Sequence, residues 1–147
     1  MRVSVIRDPS LTSRQRRVVM EARLGPLLRE CGNRLDVPLR ASLCLRLSDD
    51  AELRELNRRF LGTDAPTDVL AFPGDEASRV GDVAISVERA LGQAVDGAAE
   101  LRLLAVHGLL HCLGHDHADP VPAARMTELT RSLLPGADVP ELEAAVV

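Results

Sequence analysis

The chain has 147 residues, 46% of them hydrophobic, and a formal net charge of −4 at pH 7. This length suits one domain with its own core, and this hydrophobic content excludes intrinsic disorder. The negative charge argues against wholesale electrostatic binding of nucleic acid, and the near absence of aromatic residues, with no tryptophan or tyrosine and two phenylalanines, excludes extensive base stacking.

Hydrophobic periodicity predicts the elements of the first half of the chain. Alternating apolar residues favour strands at 3–6 and 41–47, whereas apolar residues three and four apart favour helices from 14 to about 30 and from 50 to 60. We expect Ser13 to cap the first helix, and Ser48 or Asp49 to cap the second. Gly25-Pro26 is a point at which the first helix can kink or break.

The second half of the chain is predicted to contain two further strands and three helices. The strands are expected at 67–72 and 81–87, and the helices at 87–94, 98–113 and 122–134, where Pro135-Gly136 stops the last one. This order predicts one α/β domain over residues 1–147, with the helix at 98–113 laid against a small sheet. Residues 135–147 are expected to form a loosely packed tail.

All four histidines of the chain lie in one segment, H-G-L-L-H-C-L-G-H-D-H, at 107–117. His107 and His111 are four residues apart, so on a helix they project from the same face. Gly114 can adopt the left-handed conformation that ends a helix, and the turn brings His117 back. Three converging imidazoles suit one divalent metal ion, most naturally zinc with an open fourth position. The alternative third ligand is His115.

Other residues of this segment limit its chemistry. Gly108 stands where zinc peptidases of the HExxHxxGxxH type keep a glutamate base, which argues against peptide hydrolysis by that route. A glycine there fits both close helix packing and open space for a phosphate. If the metal-bound water needs a carboxylate base, Asp116 is the nearest candidate in sequence. Orienting a ligand histidine or capping the turn is its favoured role. Cys112 is expected to pack rather than ligate, since it points about 100° away from His111.

The cysteines and the apolar segments predict the compartment. Cys31, Cys44 and Cys112 are odd in number and far apart, as expected of free thiols in a reducing environment. The N-terminus lacks the apolar run of a signal peptide, and no segment approaches the roughly eighteen apolar residues of a membrane span. We therefore expect a cytoplasmic protein without a membrane segment.

Four segments together resemble the YbeY family of bacterial metal-dependent endoribonucleases, also called ribosomal RNA maturation factors. The histidine motif with glycine as its second residue is one match, and P-T-D-V-L-A-F-P is another. The resemblance covers roughly residues 42–134. Its segments are L-S-D-D-A-E-L-R-E-L-N-R-R-F (47–60), D-A-P-T-D-V-L-A-F-P (64–73), G-D-V-A-I-S (81–86) and the histidine segment (107–117).

The resemblance implies a mixed four-stranded sheet packed against helices, with the metal site at the end of a core helix. It implies one zinc ion per chain on His107, His111 and His117, and no organic cofactor. It also implies single-stranded RNA as substrate, with ribosomal RNA precursors and the small ribosomal subunit as partners in maturation and quality control. Zinc on neutral imidazoles can activate water near neutral pH, which suits attack on a phosphodiester.

Three positions depart from the family pattern. Leu61 stands where the family typically has arginine, Ala71 where it has serine, and His115 where it often has tyrosine. We expect the helix ending near Phe60 and the strand at 67–72 to form walls of the metal cleft.

Arg58 or Arg59 would then supply the positive charge of the cleft, and both are candidate RNA-binding residues. Two alternatives stay open. A non-catalytic ribosome-assembly factor with structural zinc is favoured by Leu61 and the negative net charge. A zinc-dependent peptidase would share the histidines but lacks the glutamate.

Overall fold

A computed structural model describes residues 1–141, which form four strands and six helices. The α/β fold with a mixed four-stranded sheet is confirmed. The strands are β1 (Arg2–Arg7), β2 (Ser42–Ser48), β3 (Val69–Pro73) and β4 (Arg79–Ser86), and the helices are α1 (Ser13–Ala22), α2 (Leu24–Arg34), α3 (Asp50–Leu61), α4 (Val87–Gln93), α5 (Gly97–Cys112) and α6 (Pro120–Leu133).

The sheet has the strand order β1-β2-β4-β3. Strands β1, β2 and β4 are parallel, with Leu45 of β2 lying between Val5 and Val83. Parallel neighbours need a crossover between them, and α1 with α2 provides the one from β1 to β2. Only a short loop joins β3 to β4, so this pair is antiparallel.

The main core lies between the sheet and helices α1, α2 and α5. Leu43, Leu45 and Leu47 alternate along β2 and are fully buried on this face. Helix α5 is apolar on nearly all sides because it packs against β3 and β4 and also against α1, α2, α4 and α6. Helix α3 covers part of the opposite face of the sheet, through a smaller cluster that includes Leu53 and Leu70.

The predicted helix from 14 to 30 is two helices, which corrects the sequence prediction. The break lies at Arg23, in a left-handed conformation with φ 49°, rather than at Gly25-Pro26. Pro26 is accommodated because it lies in the first turn of α2, where backbone N–H groups have no partner within the helix. Thr12, not Ser13, caps α1 through a capping box with Gln15.

The N-terminus of α3 is capped as predicted. Asp49, one of the two predicted caps, accepts a hydrogen bond from the Glu52 N–H at 3.0 Å.

The prediction of a loosely packed tail at 135–147 is partly wrong, because Val139 is buried in the core and its carbonyl accepts a hydrogen bond from Arg131. The rest of that tail, 142–147, lies outside the described residues. Within residues 1–141, no helix is both long and apolar enough to cross a membrane.

Candidate metal centre

The end of α5 presents the histidines. Gly114 follows the helix with φ 96°, as the sequence predicts. Its N–H donates to the carbonyl of His111, and the N–H of His115 donates to the carbonyl of Leu110, both at 3.0 Å. These two bonds define a Schellman motif, which satisfies the last carbonyls of the helix. The chain therefore reverses, and His117 returns towards His111.

Three imidazoles come close together at this turn. The ring centroids of His111 and His117 are 5.6 Å apart. Nε2 of His107 and Nδ1 of His117 are buried and have no hydrogen-bond partner. A buried nitrogen without a partner is costly to the fold, so a bound cation would satisfy each of these two atoms.

The surroundings of His107 and His111 favour the uncharged form of these two imidazoles. Burial, followed by the neighbouring His111 and His117, lowers the pKa of His107 to about 4. Burial also lowers the pKa of His111, with His117 as the next cause. A neutral imidazole has a lone pair free for a metal, so these histidines are ready to ligate at neutral pH.

The side chains do not yet form a complete ligand set. Among residues 1–141, no three His, Cys, Asp or Glu side chains stand in a group that could hold one metal ion. Ligation by His107, His111 and His117 together therefore requires a side-chain rotation, which the rotatable bonds of histidine allow. The donor chemistry fits zinc, and zinc ligation by these three residues stays a prediction.

An open cleft of about 550 Å³ lies over the histidine turn. Leu61, the last residue of α3, and residues of β3 form its walls, which confirms the expected position of both elements. Its charged or titratable lining residues are Asp68, Asp116, His111, His115 and His117, and no arginine lines it in the described chain. We call this the metal cleft.

Arg58 and Arg59 do not supply the charge of the metal cleft, contrary to expectation. Arg58 pairs with Glu55 at 2.6 Å, and the Arg59 guanidinium lies 5.4 Å from the ring centroid of Phe60. Successive helical residues are rotated by about 100°, and Leu61 takes the position that faces the cleft.

Gly108 is explained by packing. A Cβ placed on it would lie 2.4 Å from Cγ1 of Val83, so β4 already occupies the space beside this glycine. The interpretation of Gly108 as open space for a phosphate is therefore wrong, because Val83 fills the space that a Cβ of residue 108 would occupy. A glutamate base would have no room at this position either.

Two further residues of the histidine segment have the roles predicted for them. Cys112 packs against β4, where its Sγ lies 3.9 Å from the carbonyl oxygen of Asp82, and burial raises the pKa of this thiol to about 11. Oδ1 of Asp116 accepts a hydrogen bond from the N–H of Ala118 at 3.2 Å, which stabilises the turn that contains His117.

Asp68 is a residue of the metal cleft whose role cannot be predicted from the sequence. Its Oδ2 accepts a hydrogen bond from Gln93 Nε2 at 3.0 Å, and its charge partly opposes the lowered pKa of His107. The available signal was its position in P-T-D-V-L-A-F-P, next to β3. Asp82 pairs with Arg79 and lies on the opposite face of the sheet from the histidines.

The chain matches a family of known proteins over most of its length. The model of the family described as Endoribonuclease YbeY matches residues 11–137. A Chloroflexus aggregans protein named Endoribonuclease YbeY is 47% identical over 96 residues, which are 55% of this chain and 63% of that protein. The chain thus spans less than two thirds of the length of this relative.

Other relatives with the same name align over more of the chain. One from Chelativorans sp. is 41% identical over 112 residues, covering 69% of each protein. One from Mycolicibacterium gilvum is 37% identical over 133 residues, which are 79% of this chain and 75% of that protein.

The fold is also found in a solved structure. The solution structure of TM1509 from Thermotoga maritima superposes with a TM-score of 0.61 at 24% identity, covering 90% of this chain and 86% of that one. This likeness bears on the fold alone. The family match and the relatives, added to the histidine turn and the cleft above it, lead to one conclusion: the chain belongs to the YbeY family.

Proposed function

We propose that this chain is a zinc-dependent, single-strand-specific endoribonuclease that acts in the maturation of small-subunit ribosomal RNA and in ribosome quality control. Its membership in a family whose members are named Endoribonuclease YbeY supports RNA cleavage. The observation that carries the metal dependence is the pair of buried, unpartnered nitrogens of His107 and His117 beside His111.

The three histidines would hold one zinc ion per chain. When bound, zinc supplies a Lewis acid for a phosphoryl oxygen and a water that ionises near neutral pH. The lowered pKa of His107 and of His111 keeps these imidazoles neutral, so they would leave the charge of the ion intact. Asp68 and Asp116 are the carboxylates of the metal cleft that can accept a proton.

The substrate is a single-stranded segment of a ribosomal RNA precursor, presented on the small subunit. The metal cleft is open on one side, which suits an unpaired chain whose phosphate can approach the histidines. The compartment is the cytoplasm. Cys31, Cys44 and Cys112 are free thiols, which supports a reducing environment.

A second candidate function is a non-catalytic assembly factor in which zinc is structural. The observation that favours it is the charge of the metal cleft, where Leu61 is apolar and Asp68 and Asp116 are acidic. Such a lining weakens attraction of a phosphate in the absence of metal. The peptidase alternative is disfavoured, since Val83 fills the place of the missing glutamate side chain.

The ligand assignment is tested by metal analysis of purified variants. We expect one zinc per chain in the wild type, loss of stoichiometric zinc in His111→Ala, and retention in His115→Ala. The physical reason is that His115 follows the turn directly, whereas His117 carries the buried, unpartnered nitrogen. Loss of zinc in His115→Ala with retention in His117→Ala would show that the third ligand is assigned wrongly.

The activity is tested with ribosomal RNA precursors, alone and on small-subunit particles. We expect metal-dependent cuts in single-stranded segments, no cuts in duplex segments, and loss of cutting in His107→Ala. Zinc-loaded protein that binds precursors without cutting them supports the assembly factor. Cleavage of a peptide library without RNA cleavage would favour the peptidase.

A further inference from the structure

The only two aromatic side chains of the chain lie in contact. Phe60 lies in the last turn of α3 and Phe72 lies in β3, and their ring centroids are 5.6 Å apart in an edge-to-face arrangement. Phenylalanine side chains are usually buried, yet 58% of Phe60 is exposed to solvent. The fold therefore presents the ring of Phe60 to solvent at the end of α3.

The two rings line a groove on the face of the sheet that α5 does not cover. The groove has a volume of about 350 Å³, and its apolar lining includes Ile6, Leu56 and Ala84. We call it the aromatic groove.

The charged residues of the aromatic groove already have partners. Arg46 pairs with Asp8 at 2.9 Å and also with Glu52. Asp82 pairs with Arg79. An occupant of the groove therefore meets aromatic and aliphatic surface rather than an unpaired charge, which suits a flat and uncharged group such as a nucleobase.

The aromatic groove and the metal cleft share two walls. Phe60 lines the groove, and the next residue, Leu61, lines the cleft. Along β3, Phe72 lines the groove, while Ala71 and Pro73 line the cleft, since successive residues of a strand point to opposite faces. A single-stranded chain that crosses the end of α3 would therefore contact both.

A cation without an ion-pair partner accompanies the exposed ring. Of the three arginines of α3, Arg54 pairs with Asp64 and Arg58 pairs with Glu55. Arg59 forms no ion pair within residues 1–141, and its guanidinium lies 5.4 Å from the centroid of Phe60. It can bind a phosphate without giving up an ion pair.

We propose that the aromatic groove receives one unpaired base of the RNA, stacked on Phe60, while Arg59 binds the adjoining phosphate. This inference rests on the proposed function and adds a subsite to it. Stacking on an aromatic ring is tolerant of sequence because every base has a π-face. The subsite therefore selects unpaired nucleotides over duplex, without reading a particular base.

The absence of tryptophan and tyrosine makes a direct test possible. Phe60→Trp introduces the only strong fluorophore of the protein, at the place where the base should stack. The probe is a 2′-O-methyl octauridine in the presence of a metal chelator, so that neither its 2′-oxygen nor a metal-activated water can cleave it and binding is measured without activity. We expect quenching of the tryptophan emission of this variant, with the same Kd as anisotropy of the labelled oligonucleotide gives.

The matched control is Val121→Trp, since Val121 is 80% exposed and lies on α6 outside the aromatic groove. The tryptophan emission of Val121→Trp should stay unchanged when the oligonucleotide binds. Phe60→Leu, which keeps apolar bulk but loses the ring, should weaken binding roughly 5- to 150-fold in Kd, the range for loss of one stacked base.

A set of oligonucleotides, each with one abasic nucleotide at a different position, distinguishes contacts to a base from contacts to the backbone. At one position the abasic nucleotide should weaken binding to the wild type and have no further effect on Phe60→Leu. If the wild type binds the oligonucleotide but the emission of Phe60→Trp and the affinity of Phe60→Leu stay unchanged, the subsite is overturned and the proposed function stands.

Two other outcomes are distinguishable from these. If the wild type binds no RNA at all, the proposed function fails first, and the subsite fails with it. If the emission of Phe60→Trp changes with protein concentration alone, the groove is occupied by a second copy of this chain, and the base subsite is overturned.

Discussion

At the scale of single residues, Gly108 shows how packing limits chemistry. Helix α5 approaches β4 so closely that an added Cβ would lie 2.4 Å from Cγ1 of Val83 and 2.9 Å from its Cγ2. Both atoms belong to a β-branched side chain with little rotational freedom in a packed core. The same contact that brings the histidine helix onto the sheet therefore disfavours every larger residue at position 108.

Gly108→Ala should lower the free energy of unfolding by about 1–3 kcal/mol, the usual cost of overpacking, despite the gain of about 1 kcal/mol in helix propensity. Urea denaturation measures this change. Gly92→Ala in α4 is the control, since nothing lies within 4 Å of its added Cβ, and it should be neutral or stabilising. Val83→Ala should rescue part of the loss in a double variant. Equal stability of Gly108→Ala and wild type would contradict the packing account.

Leu61 leaves the metal cleft without a positively charged side chain from the described part of the chain. It is exposed and lies among Asp68, Asp116 and the histidines, where a guanidinium would attract phosphate.

Leu61→Arg should raise cleavage of naked single-stranded RNA by about tenfold, the effect of one charge-assisted contact of roughly 1.4 kcal/mol. Rates on a labelled precursor segment check this. Leu39→Arg adds the same net charge at an exposed site that does not line the cleft, and it should leave the rate unchanged. Equal rates for both variants would show that position 61 has no special effect.

At the scale of elements, the end of α5 positions the third histidine. Gly114 takes φ 96°, and two 3.0 Å hydrogen bonds to the carbonyls of Leu110 and His111 fix the turn. An L-residue in this conformation is strained, so the geometry of His117 depends on a residue that itself binds nothing.

Gly114→Ala should cost about 1–2 kcal/mol of stability and also weaken zinc binding, because the strained turn displaces His117. Gly136→Ala is the matched control, since Gly136 follows α6 with φ 81° and, like Gly114, has open space at its Cβ. It should lose similar stability and keep its zinc affinity, measured by competition with a chelator. Equal zinc affinity in all three proteins would argue against a role of the turn in ligation.

At the scale of the whole molecule, the net charge of −4 repels RNA, so binding depends on positive charge at particular places on the surface. An arginine in an ion pair is already neutralised by its acidic partner. Attraction of phosphate therefore depends on arginines outside ion pairs, such as Arg59. Affinity should decrease with salt, since each neutralised phosphate releases counterions.

Arg59→Ala should reduce the slope of log K against log salt by about one, as expected for loss of one phosphate contact. Arg58→Ala should change it less, because Glu55 already neutralises Arg58. Titrations of single-stranded RNA at several salt concentrations measure both slopes. A larger change for Arg58→Ala would reverse the assignment of the phosphate contact.

Much of the fold could be predicted because its signals are local. The alternation in β2, the apolar character of α5 and the glycine after His111 each act within a few residues, and the structure has these elements where the sequence predicted them. The break at Arg23 was missed because Arg23 is an L-residue in a left-handed conformation, whereas Gly25-Pro26 offered a stronger local signal.

The histidine turn can be predicted from the sequence alone, since helical spacing and one glycine place the three histidines at the end of one helix without help from distant residues. The surroundings of that turn depend on tertiary packing. The pairing of Phe60 with Phe72, the contact of Gly108 with Val83, and the side of α3 on which Arg59 lies depend on how a helix is rotated against a sheet. That rotation is set by packing between elements far apart in the chain, where a shift of one residue turns a helical side chain by about 100°.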